Sequence, residues 1–147
     1  MKISKKIILT AVLLIFAGGL YFYNKILPND LAGNYVSVMP NFLERKIIFK
    51  THNIKGAVFS DNGTKKLTLN KDFTQKYVSY YGKGDSITYK GTWKVKNDSL
   101  ILHFNEGKSD IRLSRLQFTN KLYNVSNLIR CSDSVAVKNV SVFKKLK

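Results

Sequence analysis

Little in this chain could build a covalent or metal-bound scaffold. A single cysteine among 147 residues excludes an internal disulfide framework, a cysteine-ligated zinc site and a CxxC redox centre. Two histidines, His52 and His103, are too few for a three-ligand metal site without carboxylate help. With only two prolines, there is no Pro-rich linker, and no repeat or low-complexity tract divides the chain. Acidic residues are scarce, 9 Asp+Glu against 25 Lys+Arg. Asp61, Asp72, Asp85, Asp98, Asp110 and Asp133 all fall in turn-like segments, where Asp is favoured for backbone hydrogen bonding. Neither a G-x-S-x-G elbow nor a P-loop occurs. Cys131, within an apolar strand pattern, reads as a small buried hydrophobe rather than a nucleophile. The expectation is a protein that is not an enzyme and takes no metal or cofactor.

What is present begins at the N-terminus. Lys2, Lys5 and Lys6 precede an uncharged run from Ile7 to Tyr23. At about 1.5 Å per residue the run reaches roughly 25 Å, slightly under a ~30 Å hydrocarbon core. Lys6 and Lys25 could snorkel to the two interfaces, and Tyr21 and Tyr23 stand where an aromatic belt would lie. Residues 1–27 are therefore expected to form a signal anchor, one transmembrane helix with a cytoplasmic N-terminus. Residues 28–147 would form a domain outside the membrane, periplasmic or extracellular. The competing reading is a cleaved signal peptide, with Ala17-Gly18-Gly19 as the small residues before cleavage and a secreted product.

Only four of the 25 basic residues and none of the nine acidic ones lie in the first 27 positions, so residues 28–147 carry a net charge of +12. For an exported domain, the polyanions within reach are lipid headgroups and envelope polymers rather than nucleic acid. The lysines are dispersed, and the doublets Lys65-Lys66 and Lys144-Lys145 do not make a basic block. They read as a solvated lysine-rich surface.

From Gly33 onward the apolar residues recur every second position. Lys66 to Asn70 alternates, and Phe73 to Tyr81 places Tyr77 and Tyr81 on one face. Ile87 to Lys96 puts Ile87, Tyr89, Gly91, Trp93 and Val95 on one side, with Lys90, Lys94 and Lys96 toward water. Leu100, Leu102 and Phe104 point inward, which sends His103 outward. Ile111 to Phe118, Leu122 to Val125, Leu128 to Cys131 and Val135 to Phe143 continue the pattern. Asn41 to Lys50 fits either a strand or a short helix packed over one end. Eight or so short strands with turns every ~8–12 residues predict an all-β, antiparallel meander barrel.

Four segments carry a family resemblance: Gly33-Asn34-Tyr35 opening the first strand, Leu67-Thr68-Leu69-Asn70-Lys71-Asp72-Phe73, Gly91-Thr92-Trp93, and Asn97-Asp98-Ser99-Leu100-Ile101-Leu102. Between Gly33 and Phe104 the chain resembles the small bacterial lipocalin-like proteins of the cell envelope. The resemblance implies a lipocalin-like barrel and ligand binding, with no catalytic residues. Tyr77, Tyr81, Tyr89 and Trp93, crowded on two adjacent strands, are the candidate lining of a cavity for a small apolar or amphipathic molecule. An anionic lipid or polymer docked on a basic rim is a further candidate partner. The rival expectation is a structural or assembly protein with a solid barrel core and an outer face that pairs with another membrane protein.

Overall fold

The computed structural model describes residues 5–24, 30–82, 84–117, 119–127 and 137–147. Their order is α1 (Lys5–Asn24), β1 (Gly33–Val38), α2 (Phe42–His52), β2 (Ala57–Phe59), β3 (Lys65–Leu69), β4 (Thr74–Tyr81), β5 (Asp85–Lys96), β6 (Ser99–Phe104), β7 (Ile111–Arg115), β8 (Lys121–Asn127) and β9 (Lys138–Lys145). Each strand from β3 to β8 pairs antiparallel with the next, and β1 pairs with both β3 and β9. Eight antiparallel strands thus close into a barrel without a free edge. The short β2 adds to β9 in parallel, Ala57 opposite Lys138 and Phe59 opposite Val140. It continues along the β9 edge that β1 occupies further on, from Val142 to Lys145.

Two apolar clusters follow from the period-two pattern. The barrel interior holds Tyr35, Leu67, Leu69, Tyr77, Trp93, Leu100, Leu102, Phe104, Leu113, Leu122 and Phe143, all buried. The inward set Leu100, Leu102 and Phe104 is as the alternation requires. The second cluster, Ile48, Ile54, Leu116, Tyr123, Val140 and Val142, lies outside the sheet beneath α2. The segment that fitted either a strand or a helix is this helix. Asn41 starts it with a capping box: its side chain accepts from the Glu44 amide at 2.9 Å, and its own amide donates to Glu44 Oε2 at 2.9 Å. Such reciprocal caps satisfy two orphan donors and fix where the helix begins. Asn53, in the left-handed region at φ 48, ends it. Glu44, 4% exposed, meets Lys121 Nζ at 2.6 Å and ties α2 to β8.

The N-terminal expectation is corrected. Among the described residues, no helix is long and apolar enough to cross a membrane. The single-pass anchor is not supported, and the localisation outside a membrane that depended on it falls with it. Of the expected flanking residues, Lys25 and the side chains of Lys6, Tyr21 and Tyr23 lie outside the described residues. So do Leu128 to Cys131 and the start of the last predicted strand.

Candidate functional site at the ends of the barrel

The meander sorts the loops to two ends. Residues 30–32, the 70–73 turn and the Asn97–Asp98 turn share one end. That end is shut by side chains: Leu31 is buried and its carbonyl accepts from Tyr35 Oη at 2.7 Å, while the Trp93 indole N–H donates to Asn70 O at 3.0 Å. Outside it lies an open cleft of about 930 Å³, lined among others by Asp30, Tyr35, Arg115, Lys121, Lys145 and Leu146. None of the four aromatics expected to line a cavity borders this cleft.

The turn after Tyr81 and the loop 105–110 mark the other end. Here Tyr77 and Tyr89, opposite one another on β4 and β5, stand 6.4 Å apart between ring centroids. Phe104 packs edge-on against both, at 6.0 and 5.9 Å. Lys108, in the loop between β6 and β7, places its ammonium 5.2 Å from the Tyr77 ring, 4.9 Å from Tyr89 and 6.0 Å from Phe104. The mouth is therefore roofed by a cation over aromatic faces, an attractive arrangement that strengthens as water is excluded.

A second lysine enters from the wall. Lys65 shares the alternation of Leu67 and Leu69, which face the interior, so its side chain turns inward. Its ammonium donates to Ser60 Oγ at 2.7 Å and to Ser141 Oγ at 2.6 Å, and the two hydroxyls are 2.9 Å apart. Burial pushes the Lys65 pKa below the usual lysine value, and the positive charge of Lys108 lowers it further. Burial also lowers that of Lys108. Desolvation penalises each charged form, and a like charge nearby adds to it. Ion pairs join Lys121 to Glu44 and His103 to Asp110. Neither mouth lysine faces a described carboxylate. The expectation of a uniformly solvated lysine surface fails at this point.

The structure separates the four candidate aromatics. Tyr77 and Trp93 are 4% and 3% exposed in the interior cluster, and Tyr89 packs against that cluster from the mouth. Tyr81 sits at the tip of the β4–β5 hairpin, 44% exposed. Trp93 is at the shut end against Phe73, 5.0 Å between centroids. One side-chain oxygen, Oε1 of Gln75, is buried without a partner, while its amide nitrogen donates to His103 O at 3.3 Å. His103 points outward and bonds Asp110 at 2.8 Å; His52 is on α2 and bonds Tyr123 Oη at 3.0 Å. No group of three or more His, Cys, Asp or Glu that could hold a metal ion occurs among the described residues.

The closed antiparallel barrel of eight strands defines a lipocalin-like architecture. A lipocalin-like domain family model matches residues 40–123, and the chain belongs to that family. No curated protein matches the chain. The lipocalin-like fold is typically a binding fold rather than a catalytic one, and it suggests small hydrophobic ligands.

Proposed function

We propose that this protein is a non-enzymatic binding module that holds a small apolar or amphipathic molecule at the end of its barrel capped by Lys108. The supporting observation is the mouth itself. Tyr77, Tyr89 and Phe104 are capped by the mobile-stemmed cation Lys108 instead of by apolar side chains. A ligand can displace a lysine stem with little loss, since the ammonium is well solvated once it swings out. In this reading Tyr77 and Tyr89 form the wall, Tyr81 the rim and Trp93 the distant floor. The barrel below is packed: Leu67, Leu69, Leu102 and Trp93 are all at most 3% exposed. The ligand therefore sits in the mouth and does not thread the barrel.

Native mass spectrometry of the purified chain tests this, with a neutral naphthylamine dye as a fluorescent reporter of apolar binding. A co-purifying small molecule, or saturable dye binding lost in Tyr89→Ala, is the expected result. Repeatedly ligand-free protein that also ignores the dye would overturn the proposal. The rival assembly role has one supporting observation: Phe42 and Leu43, in the first turn of α2, are 69% and 67% exposed beside Met39 at 38%. Contiguous exposed apolar surface of this kind marks interaction sites. Sedimentation of the wild type against Phe42→Ser separates the two, since the assembly reading predicts association that the substitution abolishes.

A further inference from the structure

We infer that the open cleft outside the shut end of the barrel is a second binding site, separate from the aromatic mouth, and that it takes a small organic phosphate monoester. Arg115, Lys144 and Lys145 hold the phosphate, and the carbon part lies against Val36 and Leu146. The inference does not depend on the mouth binding anything.

The strand register explains why positive charge collects here. Tyr35, Leu122 and Phe143 belong to the interior cluster, so their strand neighbours Val36, Lys121 and Lys144 face outward. Those three form one row, Val36 opposite Lys144 across β1 and β9, and Lys144 opposite Lys121 across β9 and β8. Two lysines directly opposed have Cβ atoms about 5 Å apart, a like-charge pair that destabilises a sheet. Glu44 compensates Lys121 at 2.6 Å, whereas the other row neighbour of Lys144 is the apolar Val36. The next register position brings Lys145 to the same cleft. Its ammonium donates to the Asp30 backbone carbonyl at 2.8 Å and stands 5.9 Å from the Tyr35 ring. Arg115, opposite Leu122 across β7 and β8, closes the arc. Its guanidinium reaches Thr119 O and Asn120 Oδ1 at 3.4 Å each, long contacts to neutral oxygens.

The lining of this cleft, about 930 Å³, thus carries Arg115, Lys121, Lys144, Lys145 and Lys147 against one acidic side chain, Asp30, among the described residues. A cleft lined by one sign of charge between low-dielectric walls focuses its field and concentrates the opposite ion. Its volume is that of a small-molecule site, which decides for a soluble ester over a polymer or a bilayer face. A phosphate monoester brings close to two negative charges and three acceptor oxygens, enough for one planar guanidinium and two ammonium groups at once. A sulfate ester has half that charge. Bound phosphate also replaces the repulsion between Lys121 and Lys144 with attraction to a shared anion.

Calorimetric titration of the full chain with phenyl phosphate and phenyl sulfate at about pH 8, where the phosphate is dianionic, tests this. Phenyl phosphate is expected to bind once per chain, about tenfold or more tighter than phenyl sulfate. Its backbone amide shifts should centre on residues 115–121 and 144–146, with Tyr77 and Tyr89 unmoved. Lys144→Gln should weaken phenyl phosphate binding by about fivefold or more, yet the free variant should melt no lower than the wild type, because a repulsive pair has been removed. A purely structural lysine would do the reverse. Lys94→Gln, on the outer face of β5, removes the same net charge and should leave the affinity unchanged. Lys144 is exposed, so its substitution reports even if Arg115→Gln fails to fold. Absence of phenyl phosphate binding, equal affinity for the sulfate, an equal loss in Lys94→Gln, or undiminished binding in Lys144→Gln would overturn the inference. So would shifts centred on Tyr77 and Tyr89, or binding to phosphatidate vesicles without binding of the soluble ester.

Discussion

Gly91 offers a sharp test of the barrel, because its need is for space rather than for an unusual backbone angle. It lies on β5 opposite Gln75 of β4 and Phe104 of β6. A Cβ added there would stand 1.9 Å from His103 O, 2.9 Å from its carbonyl carbon and 2.9 Å from Phe104 Cα. All three atoms are backbone, so no rotamer change relieves the clash. Restoring an ordinary contact requires the β5–β6 pair to open by more than about 1 Å, which exceeds the tolerance of ladder hydrogen bonds near 2.9 Å. The neighbouring bond from Asn105 N to Lys90 O, at 3.0 Å, is the first to go. Losing one or two such bonds at ~1 kcal/mol each, and straining the packing around Phe104 by ~1–3 kcal/mol, gives roughly 2–5 kcal/mol for Gly91→Ala. That is a large share of the ~5–15 kcal/mol a domain possesses. Urea unfolding followed by the fluorescence of Trp93, the single tryptophan, measures it. Gly82→Ala is the comparison, since Gly82 has φ 63 but nothing within 4 Å, and should lose only about 1–2 kcal/mol. A Gly91→Ala variant within about 1 kcal/mol of the wild type would refute the close strand approach from which the estimate is built.

Further expectations concern pH, the α2 clamp and the surface. Burial raises the Tyr35 pKa to about 12, partly offset by Arg115, and burial raises those of Tyr77 and Tyr123 in the same direction. The unfolded chain ionises these phenols first, so stability is intact below about pH 10 and falls between pH 10 and 12, by up to ~2.7 kcal/mol for Tyr35 alone. Lys65 and Lys108 have the opposite sign: with pKa values lowered in the fold, they add stability as pH rises toward the ordinary lysine value. Urea midpoints across this range check both, and an alkaline loss equally large in Tyr35→Phe would contradict the Tyr35 assignment. Lys121→Ala leaves the Glu44 carboxylate buried without its partner and should cost roughly 2–3 kcal/mol, discounted for the partly exposed lysine. Asn41→Ala removes the helix cap for about 1 kcal/mol, and thermal melts of the two variants should rank in that order. His103→Ala breaks an exposed pair whose side chains are 64% and 54% accessible, and its melting curve should shift by the equivalent of no more than ~0.5 kcal/mol.

Much of the barrel is visible in the sequence because its inner face is a strict alternation. Tyr89, Gly91, Trp93 and Val95 read inward, and Leu100, Leu102 and Phe104 answer them across the hairpin. Where local and tertiary preferences diverge, the sequence is less informative. Asn41 to Lys50 has apolar residues at spacings that suit a strand or a helix, and the Asn41–Glu44 capping box, an N-x-x-E pattern, is the local signal that decides for the helix. The short β2 is fixed by its partner β9 and has no period of its own to display over three residues. The two lysines near Tyr77 and Tyr89 were hidden for a different reason. Lys65 occupies an inward position in a Lys-Lys-Leu-Thr-Leu run, two and four residues before Leu67 and Leu69; charge favoured reading it as surface, whereas alternation places it inside. Lys108 comes from a loop, and only the closed register of β6 and β7 sets it above Tyr77 and Tyr89. The uncharged N-terminal run, in turn, invited an anchor on composition, while no helix among the described residues is long and apolar enough to cross a membrane.

The central claim is where the ligand sits, and backbone amide NMR shifts recorded during a titration with the neutral naphthylamine dye test it most directly. Saturable shifts centred on Tyr77, Tyr89, Phe104 and Lys108 are the predicted outcome, with Leu31, Arg115 and Lys145 at the shut end unmoved. Shifts confined to the cleft around Arg115 and Lys145, with the mouth silent, would contradict the account.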